Sequence, residues 1–133
     1  MKHRYLVLAP AVLLACAAVA NAQYRDHRYD PDSVSGLIER VHVDLDRAYN
    51  AWHVSGGERG RLNHAENELR DFAKKWHRGR FDKGELDDAI AAVQHVLDNN
   101  HMNGREREAL SEDVGQLRAM REAYDRHEIR ERY

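Results

Sequence analysis

The chain has no threonine, two prolines and one cysteine, Cys16, among its 133 residues. A single cysteine excludes a disulfide within the chain, so the fold has to be held by a packed core. The absence of threonine, the few β-branched residues after Val54 and the lack of apolar alternation with a period of two leave strands without support. Gly-x-Ser-x-Gly, Walker-type, Gly-x-Gly-x-x-Gly and His-Glu-x-x-His patterns are all missing. Beyond residue 22 the only hydroxyl nucleophiles other than tyrosine are Ser33, Ser35, Ser55 and Ser111. The first three sit where helices begin, and capping accounts for them. Catalysis therefore has no sequence support, and neither a catalytic residue nor a cofactor is assigned.

At the N-terminus the basic residues Lys2, His3 and Arg4 precede an uncharged apolar run to Ala20, which reads as an export signal over residues 1–22. The run is interrupted by Pro10 and is shorter than the roughly 20 apolar residues that span a bilayer. No transmembrane helix is expected in the mature chain. Two processing sites compete. Ala20-Asn21-Ala22 fits ordinary cleavage before Gln23, whereas Leu13-Leu14-Ala15-Cys16 fits lipidation of Cys16 and anchoring at a membrane. Either route gives an exported protein, periplasmic or secreted in the first case and a lipoprotein in the second.

The formal charge is −2, and removal of Lys2 and Arg4 with the signal leaves about −4. A net acidic chain with interspersed signs lacks the basic face that nucleic acid requires. Residues 23–32 read as a polar leader, residues 33–127 as the folded domain and residues 128–133 as a tail. Within the domain, apolar residues fall at steps of three and four in four runs. These are Val34 to Trp52, Leu62 to Trp76, Leu86 to Leu97 and Leu110 to Tyr124. The spacing predicts an all-α, antiparallel, up-down-up-down four-helix bundle, with Leu45, Leu69, Phe72, Ile90, Val93 and Leu117 in one core.

Capping signals support the boundaries. Asp30 precedes Pro31, and Ser55, Asp82 and Asn103 each precede a glutamate by three residues. Phe81 and Leu86 occupy the positions of a hydrophobic staple, Gly79 suits a helix stop, and Asn63 with Glu66 offers a later start for the second helix. No solenoid-type repeat is evident.

Three sets of residues carry possible chemistry. His42 with Asp46 and His64 with Glu68 are spaced i, i+4 and each lies on one helix face, giving weak two-ligand metal candidates. Asn99 to Leu110 starts like a calcium loop but places Leu110 where a bidentate glutamate belongs, which excludes an EF-hand. Lys74, Lys75, Arg78 and Arg80 surround Trp76 and Phe81 and form an anionic-ligand candidate, on the expectation that acids lie mostly outside that turn. The sequence thus points to a non-enzymatic envelope module binding an unknown envelope component, with a histidine-based metal- or pH-responsive protein as the alternative. Mass spectrometry of the mature N-terminus tests the export reading. Gln23 at the terminus marks a released protein, diacylglyceryl-Cys16 marks a lipoprotein, and an intact Met1 contradicts both.

Overall fold

The computed structural model describes residues 30–131, and within them the chain is all-helical, with no strand. Four helices follow in order: α1 (Pro31–Tyr49), α2 (Gly56–His77), α3 (Lys83–Asn99) and α4 (Gly104–Asp125). The expected signal segment 1–22 with Cys16, the expected leader up to residue 29 and the last two residues of the expected tail lie outside the described residues.

Each helix starts on a side chain that accepts an otherwise orphaned backbone N–H. Asp30 Oδ1 accepts from Ser33 at 2.7 Å, and Pro31 follows at a position where its missing N–H costs nothing. Ser55 Oγ accepts from Glu58 at 3.3 Å, Asp82 Oδ1 from Glu85 at 3.0 Å and Asn103 Oδ1 from Glu106 at 2.8 Å. The second helix therefore begins at Gly56, and the later start at Asn63 is not used. Residues 30–32, the end of the expected leader, are instead the cap and first residues of α1.

Helix α2 stops where the glycine allows it. Gly79 takes φ 86°, its N–H donates to the Trp76 carbonyl at 2.9 Å, and the Arg80 N–H reaches the Lys75 carbonyl at 3.0 Å. This pair of bonds satisfies two terminal carbonyls and reverses the chain. The reversal delivers Phe81 into the interior, where it meets Phe72 and Trp76 edge-on at 5.3 and 6.2 Å and stacks on Tyr124 at 4.4 Å. Phe81 and Leu86, the two staple positions, are both buried.

Helix α1 packs against α2 and α4, and α3 packs against the same two, with the α2–α3 interface more extensive than the α1–α4 one. The six side chains expected in the core are all buried in a single cluster. Ile129 of the expected tail also packs against that cluster, and Glu131 accepts a hydrogen bond from the Phe81 N–H. Trp52 corrects the sequence expectation. The spacing placed it at the end of the first apolar stripe, but α1 stops at Tyr49 and Trp52 stands 94% exposed in the connection to α2. Asn50 caps α1 instead, closing the helix before the stripe reaches Trp52.

No helix among the described residues is long and apolar enough to cross a membrane. Phe72 is fully buried, and its ring meets Phe81 edge-on. Phe72→Ala is expected to cost roughly 3–5 kcal/mol in urea denaturation, from lost burial and the cavity left behind. An unchanged denaturation midpoint would contradict the packing.

Candidate functional site

The polar chemistry of the bundle gathers in four places. The first is the end formed by the α1–α2 and α3–α4 connections. His53, in the first connection, approaches Glu106 of α4 at 3.5 Å, while His101, in the second, approaches Glu58 of α2 at 3.5 Å. Each glutamate is the third residue after a helix cap, so each connection approaches the capping turn of the helix that follows the other connection. The buried Asn100 amide donates to the Glu58 carbonyl at 3.1 Å and accepts from Arg61 Nε at 2.7 Å. Arg59 Nε caps the Tyr49 carbonyl at 3.3 Å with its guanidinium 5.6 Å from the Tyr49 ring centre, and Arg107 caps the Leu97 carbonyl at 2.8 Å. Trp52 projects from this end, with its ring edge-on to His53 at 5.6 Å.

The second place is a groove of about 560 Å³ between α2 and α3, lined by His64, Glu68, Asp88, Ala91, Ala92 and His95. His64 Nδ1 lies 3.8 Å from Glu68, as its i, i+4 spacing requires. Glu68 also belongs to a cross-helix cluster, because carboxylate oxygens of Glu68, Glu85 and Asp88 lie within 4.8 Å of one another. Three hard oxygen donors with imidazoles nearby suit a divalent cation. The other sequence pair, His42 and Asp46, lines a second groove, and each side chain has a different partner. His42 Nδ1 turns to Glu66 of α2, and Asp46 accepts from the Asn50 amide at 3.2 Å. His42, Asp46, Glu66 and Arg70 line a smaller groove between α1 and α2.

The third place is the α2–α3 corner, where the expectation of free positive charge needs correction. Lys75 Nζ contacts Asp82 at 2.9 Å and Glu85 at 3.0 Å, so two acids of the corner itself occupy it. The bond to Asp82, then that to Glu85, raises the Lys75 pKa. The Lys75 ammonium in turn lowers Asp82, helped by the Glu85 backbone N–H. Lys74, Arg78 and Arg80 remain exposed around it.

The fourth is a buried acid. Asp113 of α4 is 1% exposed, with Arg40 Nε of α1 at 3.2 Å from Oδ1. Arg40 also donates to Gln116. Asp113 Oδ2 is buried and has no hydrogen-bond partner among the described residues. Burial, then the facing Asp44 carboxyl, pushes the Asp113 pKa up to about 7, against the opposing pull of Arg40.

Compared with known protein families, curated proteins and solved structures, the chain matches none. The site reading therefore rests on geometry. Sequence reasoning found His64 and Glu68 but missed Glu85, Asp88 and His95, which come from the neighbouring helix. Their only signal was spacing, since residues three and seven apart share a helix face. Asp113 was missed because it stands among Leu110, Val114 and Leu117 as one polar residue in an apolar stripe.

The two His–Glu ties have equal lengths and unequal surroundings, because the His53 side chain is 23% exposed and that of His101 94% exposed. Solvent screening therefore decides their strengths. A double-mutant cycle at pH 5.5 on His53→Gln and Glu106→Gln is expected to give a coupling of about 0.5–1 kcal/mol. The same cycle on His101 and Glu58 is expected to give none that can be measured, and equal couplings would contradict the assignment.

Proposed function

We propose that this protein is an exported, non-enzymatic helical module that works by binding an envelope component, with the Trp52 end of the bundle as its contact face. The observation that carries the reading is Trp52 itself, the most exposed large apolar side chain among the described residues. An indole in water buries no area until a partner covers it, and tryptophan is enriched among the residues that dominate binding energy. The base below it is firm. His53, Glu58, Asn100, Glu106 and Arg107 tie the two connections to helix ends, which limits the ordering cost of association. The short connections support an up-down-up-down order of the helices, as do the contacts of Ser35 with Trp76 and of His42 with Glu66. The apolar first 22 residues support export, and the net negative charge disfavours nucleic acid as the partner.

A second reading has its own observation. The Glu68, Glu85 and Asp88 cluster supports a metal-responsive role, with His64 and His95 lining the same groove. In this reading Lys75 competes for Glu85.

The two readings separate in one set of measurements. A photo-crosslinking residue at Ala51, next to Trp52 in the connection, is expected in cells to give a discrete adduct, and the same residue at Arg78 none. Trp52→Ser should abolish capture of that partner without changing helix content. Equal adducts at both positions would contradict the contact face. In calorimetry, one-to-one Zn²⁺ binding that is lost in Asp88→Asn and tightened in Lys75→Gln would establish the metal reading. Absence of saturable heat in both the native chain and Lys75→Gln would remove it.

A further inference from the structure

Around their connections and second helices, the two halves of the bundle correspond at an offset of 48. His53-Val54-Ser55-Gly56-Gly57-Glu58-Arg59 matches His101-Met102-Asn103-Gly104-Arg105-Glu106-Arg107, and Leu62 and Leu69 match Leu110 and Leu117. Helices α2 and α4 are both 22 residues long and start at that same offset. The correspondence extends to individual bonds. Arg59 caps the carbonyl ten residues before it, and so does Arg107. After α2, Gly79 takes a left-handed φ of 86° and bonds to Trp76. After α4, His127 takes 58° and bonds to Tyr124. The His53–Glu106 and His101–Glu58 ties exchange with each other under the same offset. The chain is thus two equivalent helical hairpins, and the α1–α4 seam is the counterpart of the α2–α3 seam.

Among the positions at which the counterparts differ, one pair lies inside the seams. Asp113 stands where the other half has Ala65, and Asp44 stands where it has Ala92, both alanines being buried. One seam is closed by two small apolar side chains and the other by two carboxyls. We propose that the α1–α4 seam is a proton-operated latch, closed while the buried Asp113 carboxyl holds a proton and loosened when it is charged.

The geometry gives the proton a place. Asp113 Oδ2 is buried and has no donor, while Asp44 faces the same carboxyl. From α1 the charged groups are Arg40, on the other oxygen and on Gln116, and Asp44, whose own cation is Arg47 at 3.5 Å. Helix α3, the other neighbour of α4, directs Asp87 to Arg121 and Gln94 to Arg118. Among the described residues Arg40 is therefore the one cation in contact with Asp113, and it is shared. With Asp113 charged beside Asp44, two carboxylates face each other and the buried Oδ2 is left without a donor among the described residues.

The sign follows from the raised folded value. Asp113 holds its proton up to about pH 7 in the closed seam and releases it near the ordinary aspartate value, about 4, once solvated. The added stability is complete below about pH 4 and is lost as pH rises through about 7. Opening would uncover apolar side chains of α1 and α4, including Val41 and Val114, which are otherwise buried. This acid-tightened seam is independent of the Trp52 reading and is set by α1 and α4 alone.

Amide hydrogen exchange of the full mature chain between pH 4.5 and 8, corrected for intrinsic rates, tests the latch. Relative to Asp113→Asn, protection of α1 and α4 amides is expected to fall by up to about tenfold per pH unit, the limit for one linked proton, and to level off above about pH 7. The α2 and α3 amides should show no such difference. Asp113→Ala, which restores the residue of the equivalent seam, should remove the dependence as well and guards against a variant that folds poorly. Equal pH dependence in the native chain and both variants would overturn the proposal. So would a loss of protection spread evenly over all four helices.

Discussion

The constraint on which this structure depends is that every helix has one apolar stripe and charged residues over the rest of its surface. None of the four can hide that stripe alone, so each must find two neighbours, and a closed ring of four satisfies all of them. The aromatic cluster shows how tightly this is met. Phe81 lies outside any helix, yet it touches Phe72 and Trp76 of α2 and Tyr124 of α4. The left-handed Gly79 sets its position. A β-carbon at that φ is strained, so the glycine and the ring act as one device that joins chain reversal to core closure.

The hairpin is built twice from the same parts: a capping side chain, a glutamate three residues on, an arginine reaching back to the preceding helix and a left-handed residue after the second helix. Where the two copies agree, the residues serve folding. Some differences, such as Phe72 against Met120, exchange one buried core side chain for another, whereas others change polarity or exposure. Trp52 against Asn100 is such a difference, with one exposed and the other buried and hydrogen-bonded to Glu58 and Arg61. Asp113 against Ala65 is another, and it puts a carboxyl in the position that alanine fills without a penalty in the other seam. These are the positions at which the geometry suggests function.

Much of the fold was legible in the sequence because its signals are local. The stripes, the four caps and the glycine stop depend on residues three or four apart, and all appear in the structure. Trp52 misled because it continues the spacing of a helix that Asn50 closes. The site was less legible for a related reason. His64 and Glu68 share a helix and could be paired on paper, whereas Asp88 and His95 reach them only after α2 and α3 pack. Lys75 read as a free cation because Asp82 and Glu85 looked like capping residues, which they are, while also binding it. The correspondence between the two halves is faint in the sequence because it lies in few identities and many equivalent roles, and bonds such as Arg59 to Tyr49 and Arg107 to Leu97 make it visible.

The central claim is that one seam of a twice-built bundle has been given a buried acid that holds a proton near neutral pH. Carbon-detected NMR of the aspartate carboxyls across pH 3 to 9 tests it most directly, with the Asp113 resonance assigned by its loss in Asp113→Asn. The account predicts that Asp113 titrates at about 7. A midpoint near 4, the value of a solvated aspartate, would contradict it.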